Sequence, residues 1–154
     1  TVQQIKHSAE RIRARYGRLD LIVCDGIQLM KAKAEHRSEE IGRITRGLKA
    51  TAKELQCPLI GSTQLNRGEG RESNAIPYLR DIKESSSIEQ DADTVVLLWR
   101  PDGRDKSQEM TSAKANVAKN RNGPTGIVPL TWDGERMVFR NYAPPIQEFR
   151  SAPG

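Results

Sequence analysis

Four groups of residues in this sequence have types and spacings suited to chemistry. The first is Asp25, which closes the apolar run Leu21-Ile22-Val23-Cys24. A carboxylate at a strand end can hold a magnesium ion, usually through water; it can equally cap the turn that follows. The second is Gln64, which follows Leu59-Ile60-Gly61-Ser62-Thr63. A neutral amide there can sense a γ-phosphate or position a water, or be no more than the polar entry to a loop. The third is Lys119-Asn120-Arg121-Asn122-Gly123-Pro124-Thr125-Gly126. Arg121 has the permanent charge and forked donors that suit a phosphate. Pro124 and the two glycines shape a turn that presents it outward, and the same residues also make an ordinary hairpin with solvated cations. The fourth is the run from Lys83 to Asp93, preceded by Arg67, Arg71 and Arg80. Lys83 and the backbone amides around Ser85 to Ser87 suit a nucleic-acid phosphate. The serines also suit a helix cap, and a charged loop is commonly just solvated. His7 and His36 share no metal-ligand spacing with acids or cysteines, and no Ser-His-Asp or Cys-His arrangement is suggested.

These residues need elements to position them. Val2, Ile5, Ala9, Ile12 and Tyr16 recur at helical spacing, and Gly17 suits the C-terminal cap. A buried strand is predicted from Leu21 to Asp25. A polar loop then leads to a second helix with Ile41, Ile44, Leu48 and Leu55 on its apolar stripe. Pro58 ends that helix and opens a strand from Leu59 to Thr63. Asn66 to Tyr78 reads as a mobile loop, Ser85 to Asp91 as a short helix, and Thr94 to Trp99 as a third apolar strand. A charged linker from Pro101 to Gln108 leads to strands over 113–118, 127–132 and 137–140, with Asp133-Gly134 as a two-residue hairpin signal. Alternating helices and apolar strands predict an α/β fold: a parallel sheet with a terminal antiparallel extension. Ligands bind such sheets beyond the carboxyl ends of the strands, where Asp25, Gln64 and, further on, Arg100 fall.

Composition bounds the partners. The 154 residues suffice for one domain with a core, and the net charge of +5 permits a nucleic-acid or phosphate partner. Aromatics are only 5%, so base stacking is a minor device at most. No apolar run reaches membrane-spanning length, and no signal peptide is recognisable. Cys24 and Cys57 lie in apolar runs, which argues against a disulfide scaffold and for a reducing cytoplasm. Residues 1–142 are expected to form one α/β unit, and 143–154, with three prolines in 144–153, an irregular tail.

Taken together, the motifs resemble a known family, the bacterial replicative DNA helicases of the DnaB type. Leu21 to Met30 resembles the family's Walker B region, and Ser62-Thr63-Gln64-Leu65-Asn66-Arg67 resembles its next motif. The run Glu84 to Asp93 is the most specific match, and Lys119 to Gly126 matches Lys-x-Arg-Asn-Gly-Pro-x-Gly. The order and separations are the family's across nearly the whole chain. The resemblance implies a RecA-like ATPase core that works as a homo-hexamer, uses ATP and Mg2+, and moves along single-stranded DNA, with a helicase loader and primase as further partners. It implies Asp25 as the magnesium residue and Gln64 as the link between the γ-phosphate and the DNA loops. Lys119 and Arg121 would reach a neighbour's ATP, Arg121 as the arginine finger, and Lys83, Glu84 and Ser86 would touch the DNA backbone.

Three positions depart from the family pattern. Gly26 stands where a tyrosine is usual, Lys83 where an arginine is, and Ser86 where a glycine is. No G-x-x-x-x-G-K-[ST] phosphate loop occurs in the sequence, and the resemblance would put the catalytic glutamate before Thr1. The sequence is therefore expected to represent the later half of a motor domain, without ATPase activity alone. The alternative is a non-catalytic truncated relative that acts as a DNA-binding or helicase-interacting module. A recombinase or clock-type ring ATPase is a third reading, disfavoured by Ile88 to Asp93 and Lys119 to Gly126.

Overall fold

Helix α1 (Val2–Tyr16) starts where sequence and hydrogen bonding agree. Thr1 accepts the Gln4 amide N–H, and the Gln4 side chain reaches back to the Thr1 nitrogen. Gly17 ends the helix in the left-handed region, φ 76°, donating its N–H to the Arg13 carbonyl. Only part of the predicted stripe is covered: Ala9 is buried, whereas Ile12 and Tyr16 are exposed. A computed structural model gives this arrangement and describes residues 1–65, 75–82, 85–100 and 110–142.

Strand β1 (Ile22–Cys24) pairs in parallel with β2 (Leu59–Gly61), Ile22 opposite Leu59 and Cys24 opposite Gly61. Helix α2 (Arg37–Glu54) joins them and buries Ile41, Ile44 and Leu48. Helix α3 (Ser85–Asp91) packs across α2 at Gly42, where a Cβ would come within 2.9 Å of the Ser87 hydroxyl. The glycine that lowers helix propensity thus permits a close helix contact.

The remaining strands form one antiparallel sheet in the order β3 (Thr94–Trp99), β4 (Met110–Asn120), β5 (Gly126–Asp133) and β6 (Val138–Asn141). Parallel and antiparallel parts are both present, as the sequence predicts, but β3 pairs with β4 rather than with β1 or β2. One hydrophobic cluster still joins the two sheets: Ile22 and Cys24 of β1 and Val95 and Leu97 of β3 meet the buried faces of α2 and α3. Of the strands predicted as buried, β1 and β3 are buried on one face only, and β2 has Leu59 half-buried and Ile60 exposed. Val23, Ile60, Val96 and Leu98 point away from the helices and are exposed.

The last hairpin also differs from its prediction. The turn between β5 and β6 has four residues, Gly134 to Met137, and Asp133 belongs to the strand. The Asp133 carboxylate accepts the Arg136 backbone N–H at 3.1 Å, and Met137, φ 55°, closes the turn. A two-residue type I′ turn would need positive φ at Gly134, which it lacks. The predicted linker from Pro101 to Gln108 and the tail 143–154 lie outside the described residues.

Candidate functional site

Asp25 stands one residue past the carboxyl end of β1 and is exposed. The chain turns sharply behind it at Gly26, φ 74°, into a 3-10 turn over Ile27–Leu29. A Cβ at Gly26 would sit 3.1 Å from the Leu29 side chain, so this turn suits glycine in both conformation and space. Ser62, just after β2, ties the turn down at four points. Its N–H donates to the Cys24 carbonyl at 3.0 Å, and its carbonyl accepts the Ile27 N–H at 2.9 Å. Its hydroxyl accepts the Gly26 N–H at 2.7 Å and donates to Asp25 Oδ1 at 2.6 Å. The carboxylate is therefore oriented from the neighbouring strand. Its oxygens have acceptor capacity beyond the Ser62 bond, and hard oxygen donors of this kind suit a magnesium ion. The residues present fit that ion.

Gln64 is exposed two residues beyond Ser62. The next residue, Leu65, forms an isolated antiparallel bridge with Ile82. That bridge ties the Gln64 strand end to the residue before Lys83. Lys83, Glu84, Arg67 and Arg71 themselves lie outside the described residues. Of the remaining residues expected to contact a polymer, Ser86 is exposed in the first turn of α3. Arg80 is exposed in a 3-10 turn, its guanidinium 5.3 Å from the centre of the Tyr78 ring.

Lys119 and Arg121 come together at the opposite end of α3. The β3–β4 register sets Val95 opposite Lys119 and Thr94 opposite Asn120, which brings the end of β4 beside the exit from α3. A helix leaves its last four carbonyls without helical partners and carries partial negative charge there. Three of the last four carbonyls of α3 each take a cation. Lys119 Nζ donates to the Glu89 carbonyl, Arg121 Nη2 to the Gln90 carbonyl at 2.9 Å, and Lys49 Nζ to the Asp91 carbonyl at 2.7 Å. The fourth, on Ile88, accepts the Ala92 N–H.

Asp93 completes this cluster. Its carboxylate accepts Lys49 Nζ at 2.8 Å and lies 3.2 Å from Arg121 Nη1, while its backbone carbonyl accepts the Arg121 N–H. The Lys49 hydrogen bond holds the Asp93 carboxyl below its usual range despite some desolvation, with the charges of Lys49 and Arg121 adding to the effect. The hydrogen bonds thus place these sequence-derived residues in two clusters within one chain: Asp25, held by Ser62, and Lys119 with Arg121 at the end of α3. Sequence reasoning did not single out Ser62, Lys49 or Asp93. The only local signal was that Ser62 and Asp93 lie inside motifs already quoted.

Among the described residues no group of His, Cys, Asp and Glu is arranged to hold a metal on its own, and no helix is long and apolar enough to cross a membrane. Cys24 and Cys57 are buried free thiols, and burial pushes the Cys24 thiol up.

Comparisons with known proteins give a consistent result. A family model described as the DnaB-like helicase C terminal domain matches residues 1–141. The replicative DNA helicase DnaB of Leifsonia xyli subsp. xyli is 41% identical over 147 residues, 94% of this chain and 32% of that protein. The replicative DNA helicase DnaB of Haemophilus influenzae is 39% identical over 146 residues, 93% of this chain and 31% of that protein. The chain thus spans about a third of the length of these curated relatives. A solved structure of a DnaB-like replicative helicase, described with its interactions with primase, superposes with a TM-score of 0.80 at 32% identity. That match covers 93% of this chain and 35% of the other. A second structure, described as an ATPase domain, gives the same TM-score and identity, and the match covers 52% of it.

Proposed function

The chain belongs to the DnaB-like helicase C-terminal domain family, with a RecA-like α/β fold, and on that premise we propose that it is part of a replicative DNA helicase motor. The motor couples ATP hydrolysis to movement along single-stranded DNA and to duplex unwinding in the cytoplasm. Its partners are neighbouring subunits in a homo-hexamer, a helicase loader and primase. The primase reading is supported by the interactions named for the similar solved helicase.

The observation that carries the division of labour is that different elements hold the two clusters: Ser62, just after β2, orients Asp25, and the end of α3 holds Lys119 and Arg121. Asp25, oriented by Ser62, would hold magnesium at the subunit's own nucleotide site, where the ion would supply charge neutralisation for the phosphate oxygens. Gln64 links that site to the DNA loop through the Leu65–Ile82 bridge. Lys119 and Arg121, held at the far end of α3, serve the nucleotide of the adjacent subunit. Lys83, Glu84 and Ser86, with Arg67, Arg71 and Arg80 near them in sequence, contact the DNA backbone through charge and shape rather than base sequence.

The sequence has no phosphate-cradling G-x-x-x-x-G-K-[ST], so the purified chain is expected to release no phosphate from ATP above background. In the gene product that carries these residues, Arg121→Ala is expected to lower DNA-stimulated ATP turnover by roughly 10³-fold or more. DNA binding in the resting state is expected to persist in that variant. Turnover by the purified chain that survives Arg121→Ala would overturn the assignment.

A further inference from the structure

We propose that Asp93 is a positioning residue for Arg121: it holds the guanidinium against the end of α3 until a phosphate group competes for it. The proposal rests on the reading of Arg121 as a phosphate-contacting residue. Three features of the cluster favour a hold that can be released.

The hold is weak. The Arg121 and Asp93 side chains are 48% and 58% exposed. An exposed ion pair of this kind shifts an equilibrium by at most about fivefold. A polyphosphate brings several negative charges and a set of oxygens matched to the guanidinium fork, and charge-assisted bonds to it are stronger than one shared carboxylate contact.

Release also leaves no stranded charge. Asp93 is shared with Lys49, whose Nζ stays 2.8 Å from its carboxylate and also bonds the Asp91 carbonyl. When Arg121 leaves, Asp93 keeps a cation, and the carbonyl that Arg121 gives up belongs to an exposed residue, Gln90.

The third feature separates backbone from side chain. The Arg121 N–H remains bonded to the Asp93 carbonyl at 2.9 Å, just beyond the last β3–β4 pair, Thr94 with Asn120. The turn therefore stays fixed while the side chain swings. The ordering cost of presenting Arg121 falls on side-chain rotamers alone, which keeps it small.

The test uses the chain itself, with inorganic triphosphate as the probe and the Arg121 Nε resonance as the readout at low salt. Asp93→Asn is expected to tighten triphosphate binding at Arg121 about two- to fivefold, and Asp93→Glu, which keeps the charge, to restore wild-type affinity. Lys49→Met removes the lysine bonded to Asp93, leaves Arg121 as its ion-pair partner, and is expected to weaken binding. Asp91→Asn removes an equal charge two residues away, on a side chain bonded to Thr45 rather than Arg121, and is expected to change affinity by less than Asp93→Asn does. Equal effects from Asp91→Asn and Asp93→Asn would overturn the proposal, because general charge would then account for the change. Unchanged affinity in Asp93→Asn, with binding still lost in Arg121→Ala, would overturn the role of Asp93 and leave that of Arg121. Binding that ignores Arg121→Ala would overturn the phosphate reading beneath both.

Discussion

Ser62 shows what a single side chain adds to a motif. From the sequence, Asp25 is either a metal-binding acid or a turn cap. Its partner is 37 positions away, just past the end of another strand, and no local pattern marks such a contact. The same holds for Asp93 and Lys49, which are 44 positions apart. Residues with a distinctive local setting, Asp25 and Arg121, are legible in sequence; residues that orient them through tertiary contacts are not. Ser62→Ala is expected to cost about 1–2 kcal/mol, since it leaves the Gly26 N–H without its acceptor and removes a charge-assisted bond to Asp25. Urea unfolding measures the cost, and faster hydrogen exchange at the Gly26 amide locates it. Wild-type exchange at Gly26 in Ser62→Ala would show that the hydroxyl does not fix this turn.

At the scale of elements, periodicity and caps predict well where the interaction is local. The Thr1 cap and Gly17 bound α1, and the predicted limits of α3 and β3 are those observed. The β5–β6 turn departs from its prediction because the Asp-Gly pair alone does not report what the aspartate side chain binds. Asp133 is buried, and it accepts the Arg136 N–H and bonds the Arg140 and Arg136 guanidinium groups. The Arg136 backbone bond, with Arg140 and the Arg136 side chain behind it, holds the carboxyl below its usual range against desolvation. A lowered carboxyl value stabilises the fold above the unfolded-state value of about 3.9, and that stabilisation is lost as pH falls through the lower folded value. Asp133→Asn is therefore expected to melt below wild type at pH 7. The gap is expected to shrink progressively below about pH 4. A gap of constant size down to pH 2 would mean that shape rather than charge holds the turn. Trp132 and Phe139, with ring centres 4.8 Å apart, give the hairpin a contact that does not titrate.

At the scale of the molecule, the strand sequences ask for more burial than the helices supply. Leu21-Ile22-Val23-Cys24 is apolar at every position, the pattern of a strand covered on both faces. Its Ile22 and Cys24 are buried, yet Val23 is 65% exposed, and Ile60 on the paired strand is 57% exposed. Val96 and Leu98 repeat the alternation on β3. Within the described residues, β2 pairs only with β1 and β3 only with β4, so each also presents an edge. Bare apolar faces and open strand edges both favour association between copies. The purified chain is therefore expected to self-associate with rising concentration in sedimentation velocity, despite its net charge of +5. Val23→Lys with Ile60→Lys is expected to reduce that association, because both side chains project from the uncovered face and neither belongs to the helix-facing core. Association that persists undiminished in the double variant, with helix content unchanged, would place the contact on another surface. High salt separates the two forces: it screens the repulsion among the surplus cations and leaves apolar contact intact, so association through this face is expected to strengthen with salt.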